Sequence, residues 1–77
     1  MLVTRSEPPR EVPLTKRERE VLARIAEGMT SKQIAADLGV SLRTVGTHRE
    51  HLAKKLSTSS VAVFVRYAIH NGIVLSD

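Results

Sequence analysis

Residues 30–56 read TSKQIAADLGVSLRTVGTHREHLAKKL. Thr30 and Gln33 stand at the T-x-x-Q spacing in which two side chains satisfy each other's backbone N–H groups at a helix start. Ile34, Ala35 and Leu38 supply one buried stripe, and Gly39 ends the helix at little conformational cost. Ala35 and Ala36 are small enough for a following helix to come close. Ser41 is an N-cap residue, with Val40 before it as a hydrophobic staple. Val45, Leu52 and Leu56 then follow at intervals of seven and four, on one face of a second helix. Arg43, Thr44, Gly46, Thr47, Glu50, His51 and Lys54 are left largely outward. The spacing predicts a helix over 42–56, about 22 Å long at 1.5 Å per residue. A short helix, a tight turn and a second helix that is polar and basic on one side are the parts of a helix-turn-helix, here over about residues 30–49. In that motif the second helix lies in the major groove of DNA, which is about 12 Å wide.

Upstream, Thr15 and Glu18 form another capping box, with Leu14 as its staple. Val21, Leu22, Ile25 and Met29 recur at helical spacing, and Gly28 stops that helix in a left-handed conformation. Downstream, VAVFV (61–65) favours a strand by propensity, but strict alternation fails at Phe64. Val61, Phe64, Val65, Ala68 and Ile69 fit the helical spacing better. A lone strand would also have no partner in this chain. The reading is a fourth helix, capped by Thr58 or Ser59 and ended by Gly72. Residues 1–13 hold all three prolines and few apolar residues, so a flexible arm or linker is expected there. Residues 14–77 are expected to form one domain. The expected fold class is all-α: a four-helix bundle containing a helix-turn-helix, with helix 3 as recognition helix.

A chain of 77 residues makes one small domain that buries only about 60% of its unfolded surface, so pairing with a second copy would help it. It has no cysteine, which excludes a disulfide framework and a thiolate zinc finger. It has no apolar run of the ~20 residues needed to span a bilayer, and MLVTRSEPPREVP lacks the apolar core of a signal peptide. A soluble cytoplasmic protein is expected. The formal charge is +4, which by itself says little. Its placement says more: Arg43, Arg49, Lys54 and Lys55 face the single acid Glu50 along one helix. A solvated helix face would explain a charge run alone; the surrounding motif favours a nucleic-acid surface.

His48 and His51 are three residues apart, but the H-E-x-x-H zinc pattern is absent and His70 lies on another helix, so no metal is expected. The serines have no convincing His/Asp partners, so no catalytic residue and no enzyme activity are expected. His48 lies near the Val45–Leu52 face and reads as a half-buried, hydrogen-bonded structural histidine. Val63 and Tyr67 fall off the expected buried stripe of helix 4. They read as a two-fold dimer interface, which would demand a palindromic site with half-sites about one helical turn apart.

The segments LTKREREVL (14–22), SKQIAADLGVS (31–41), TVGTHREHLAKKL (44–56) and RYAIHNGIV (66–74) resemble the LuxR-type helix-turn-helix family, the DNA-binding ends of many bacterial response regulators and quorum-sensing receptors. The resemblance implies four packed helices, with helix 3 in the major groove and helix 4 often at a dimer contact. The family's base-reading positions fall here on Gly46, Thr47 and Glu50, and His51 on the same face could also touch a base edge. Lys32, Arg43, Thr44, Arg49 and Lys54 are candidates for phosphate contacts, which set register and affinity without sequence information. Three departures stand out. Gly46 replaces a usual lysine, so either the DNA approaches closely there or that contact is lost. Glu50 replaces a residue that is often basic; a carboxylate repels phosphate but accepts from a cytosine N4 amine. Ser57 replaces a usual glycine. The implied activity is sequence-specific regulation of transcription, with double-stranded DNA as partner, a homodimer as assembly, RNA polymerase as a candidate protein partner, and neither cofactor nor small-molecule ligand. The rival expectation is a small helical protein-interaction module that docks through helix 4.

Overall fold

A computed structural model describes residues 13–74, which form four helices and no strand. These are α1 (Lys16–Ala26), α2 (Ser31–Leu38), α3 (Leu42–Leu56) and α4 (Val61–His70). The expected arm at residues 1–13 lies, apart from Pro13, outside the described residues.

Each of the first three helices starts where its capping chemistry places it. The Thr15 hydroxyl accepts from the Glu18 N–H at 3.1 Å while Glu18 accepts from the Thr15 N–H at 3.0 Å. Thr30 and Gln33 repeat the exchange at 3.1 and 2.8 Å. Ser41 accepts from the Thr44 N–H at 3.0 Å. Gly28 and Gly39 both have positive φ, +92° and +71°, so the chain reverses twice at residues that carry no Cβ penalty.

α1 is the centre of the bundle. It packs against α3 and α4, and more lightly against α2, while α2 rests mainly on α3. The core is mostly aliphatic, with two aromatic rings: Val21, Leu22 and Ile25 from α1, Ile34 and Ala35 from α2, Val45, Leu52 and Leu56 from α3, and Phe64, Tyr67 and Ala68 from α4. Met29 and Leu38 pack partly buried at its margin.

α4 departs from the expectation in two ways. Its N-cap is Ser60, which accepts from Val63 N–H; the Thr58 hydroxyl instead accepts from Ser60 N–H at 3.0 Å. Its buried face is also rotated. Tyr67 is 2% exposed, whereas Val61 and Ile69 are 48% and 40% exposed. α4 is apolar nearly all round, so two stripes fit the helical period, and packing against α1 selects the one with the large aromatic rings, Phe64 and Tyr67. Tyr67 is therefore a core residue and not a dimer contact, and Val63 is half-buried.

α3 ends at Ser57, whose φ of 58° makes it the one non-glycine residue with positive φ among the described residues. Thr58 N–H closes the end on the Ala53 carbonyl at 3.0 Å, as glycine-terminated helices do. A left-handed L-residue costs roughly 1–2 kcal/mol, and glycine's extra chain entropy offsets about 0.5–1 of that. Ser57→Gly is expected to stabilise the fold by about 0.5–1 kcal/mol and to raise Tm by about 2–8 °C, as read by a thermal melt followed by circular dichroism.

Candidate nucleic-acid interface

The roll of α3 about its axis decides which side chains it offers to a partner. Val45 and Leu52 are fully buried and Leu56 is 2% exposed, which fixes one face inward. A polar clamp fixes the same face at the C-terminal end. Glu18 of α1 is the one buried charged residue in the described chain. Its Oε1 accepts from Lys55 Nζ at 2.7 Å as well as from the Thr15 N–H. Lys55 Nζ also donates to the Pro13 carbonyl at 2.9 Å, and His51 Nδ1 lies 3.6 Å from Glu18 Oε2. Burial on its own would raise the Glu18 pKa. The hydrogen bonds from Lys55 and Thr15, with the charges of Lys55 and His51, outweigh it and hold the carboxyl below its ordinary value.

His51, expected among the base readers, is exposed and lies on the side of α3 nearest Glu18. His48 is half-buried as expected, but its buried Nδ1 has no hydrogen-bond partner, so the expected hydrogen bond is absent at that atom.

The opposite side of α3 exposes Arg43, Thr47, Glu50 and Lys54, with Gly46, Thr44 and Arg49 half-buried along its edges. Lys32 is exposed in the first turn of α2. An Arg24–Asp37 ion pair ties α2 to α1, and Arg24 also donates to the Glu20 carbonyl at 3.0 Å. With α2 and α3 both held on α1, the starts of the two helices keep a fixed relation. First-turn N–H groups beyond the capped one stay available to an anion, and the helix dipole favours negative charge there. At α3 the Thr44 N–H is taken by Ser41, and the two hydroxyls lie 2.9 Å apart. An anion at this start would therefore meet the backbone of Leu42 and Arg43 before that of Thr44.

Gly46 has ordinary helical backbone, and a Cβ added to it meets nothing within 4 Å. No neighbour in the fold requires a glycine there, although glycine costs about 1 kcal/mol relative to alanine inside a helix. Thr47 Oγ1 donates to the Arg43 carbonyl at 3.2 Å. Lys55 is engaged by Glu18, so the cations of this helix without an ion-pair partner among the described residues are Arg43, Arg49 and Lys54.

Two residues escaped the sequence reading. Glu18 was legible as a cap, but its second partner is 37 residues away, beyond any local pattern. Leu42, at the first position of α3, is 55% exposed; its place outside the 45–52–56 face was the available signal. Among the described residues no group of three or more His, Cys, Asp or Glu could hold a metal ion. No helix there is long and apolar enough to cross a membrane.

Glu18 gives a pH test. Its depressed pKa means that its stabilisation is complete above the unfolded carboxylate value and is lost as pH falls through the lower folded value. Lys55→Met leaves the carboxylate buried without its main counter-charge. The variant is expected to lose about 2 kcal/mol at pH 7, between the surface and buried limits for broken pairs. The difference from wild type should shrink as acid protonates Glu18, as read by urea unfolding from neutral pH to pH 3.

The family described as "Bacterial regulatory proteins, luxR family" matches residues 12–68 of the chain. The transcriptional regulatory protein MctR of Rhizobium johnstonii is 47% identical over 62 residues, covering 80% of this chain and 29% of the relative. UhpA of Escherichia coli, also a transcriptional regulatory protein, is 53% identical over 51 residues, 66% of this chain and 26% of the relative. FixJ of Rhizobium meliloti, another transcriptional regulatory protein, is 41% identical over 59 residues, 77% of this chain and 29% of the relative. The chain thus spans less than a third of the length of these curated relatives.

Proposed function

The chain belongs to the luxR family of bacterial regulatory proteins, and from that premise we propose that it binds double-stranded DNA sequence-specifically to regulate transcription, with α3 in the major groove. The observation that carries this reading is the two-sidedness of α3. One side is locked to α1 by Leu52, Leu56 and the Glu18–Lys55 contact, and the other exposes Arg43, Thr47, Glu50 and Lys54.

Two kinds of contact divide the work. Arg43, Arg49 and Lys54, joined by Lys32 and the helix start near Thr44, neutralise phosphates; this supplies affinity and makes it salt-dependent. Gly46, Thr47 and Glu50 face base edges. Glu50 cannot bind phosphate, but it accepts from a cytosine N4 amine. Its place among three cations makes it a discriminator, since it opposes every register that would seat it on the backbone. Two copies pair through α4, using the exposed Val61 and Ile69 with the half-buried Val65 between them in place of the expected Val63 and Tyr67, and read a palindromic site. The same surface supports the rival reading, in which α4 docks a different protein and the basic face of α3 is incidental.

Selection from a random duplex pool, followed by gel-shift titration, tests the proposal. One symmetric site should emerge, bound more weakly as salt is added; a site without two-fold symmetry removes the dimer. Arg49→Ala should weaken binding to every sequence and make the slope of log K against log salt shallower by about 0.9. Glu50→Ala should leave that slope unchanged and relax preference at one base pair, worth about 1–3 kcal/mol. Indifference to DNA at low salt refutes the proposal and favours the α4 docking module.

A further inference from the structure

Building on the DNA-binding reading, we propose that Leu42 and Gly46 form an apolar seat on α3 for the 5-methyl group of a pyrimidine in the major groove. Two independent observations meet on this strip. Leu42 is the most exposed large apolar side chain of the described chain at 55%, and it lies one turn before Gly46. Gly46 has open space where a Cβ would stand, so it leaves a dent in the helix surface.

A single exposed leucine is commonplace. Here it borders the one glycine that sits inside a helix, and no contact within the fold requires either residue. The residues at i±3 and i±4 ring a helical position, so the dent at Gly46 is bordered by Leu42, Arg43, Arg49 and Glu50. Its floor is backbone, its N-terminal wall is aliphatic, and its C-terminal rim is a carboxylate. Lysine or arginine at position 46 would reach for guanine or phosphate; a dent with an aliphatic wall offers only van der Waals contact. The 5-methyl group is the one apolar feature a base pair presents in the major groove. Gly46 and Glu50 are about 6 Å apart along the helix, and base pairs repeat about every 3.4 Å. The methyl-bearing base therefore lies about two base pairs from the pair that Glu50 contacts.

Thymine and 5-methylcytosine carry the same methyl group, and the test separates them. The 77-residue chain is first used to select its site from random duplexes, both unmodified and amplified with 5-methylcytosine. Affinity is then measured by fluorescence anisotropy, with each thymine replaced in turn by deoxyuracil and each methylcytosine by cytosine. Loss of one buried methyl, about 0.8 kcal/mol, should weaken wild-type binding about fourfold at a single position. Sensitivity to deoxyuracil identifies thymine, and sensitivity only to cytosine demethylation identifies 5-methylcytosine. Leu42→Ala should abolish that sensitivity while leaving the thermal melt near wild type, because Leu42 makes no core contact. Gly46→Leu, which fills the dent, should lose the methyl preference. The proposal is overturned if no methyl affects wild-type affinity, or if Leu42→Ala remains as sensitive as wild type. Absence of binding to any duplex would instead overturn the DNA reading beneath it, and this inference with it.

Discussion

The rotational setting of α3 against α1 is the constraint on which the rest depends. Successive helical residues are turned by about 100°, so an error of one residue would carry Thr47 and Glu50 out of the exposed strip and Leu52 into water. Aliphatic packing of Val45, Leu52 and Leu56 favours one roll, yet apolar contacts are non-directional and tolerate some slip. The Glu18–Lys55 contact is directional. It joins the first turn of α1 to the last turn of α3, and the same carboxylate caps α1 through Thr15. A buried ion pair adds little net stability against well-packed apolar residues. Its value here is geometric, since Glu18 has good partners in only one setting of α3.

That setting separates two jobs along one helix. The inward side and the clamp commit Lys55 to the fold, while Arg43, Arg49 and Lys54 have no ion-pair partner among the described residues. Cations at those three places would bind almost any polyanion. Selectivity has to come from what lies among them: a missing side chain at Gly46, a hydroxyl satisfied internally at Thr47, and an acid at Glu50.

The parts legible in the sequence were those with local causes. The starts of α1 and α2 follow from pairs of residues three apart, and the bounds 42–56 of α3 follow from Ser41 and the aliphatic spacing; the structure matches them. Ser57 stood out because it fills a place where glycine is usual, and it does adopt positive φ. What the sequence hid were long-range choices. α4 is apolar on two faces, so its period could not show that Tyr67 goes inward and Val61 and Ile69 outward. The second partner of Glu18 depended on how α1 and α3 cross. Of the candidate site, Arg43, Thr47, Glu50 and Lys54 are exposed together as the spacing implied, whereas His51 is exposed on the side nearest a carboxylate from another helix.

The central claim is that the strip from Arg43 to Lys54, opposite the Glu18 clamp, is the surface that meets DNA. Backbone amide shifts of the isotope-labelled protein, followed by NMR as duplex DNA is added at low salt, test it most directly. The account predicts that the largest changes fall on Lys32, Arg43, Thr44, Gly46, Thr47, Glu50 and Lys54, while Glu18 and Leu52 change little. Changes centred on Val61 and Ile69, or none at any DNA concentration, would contradict it.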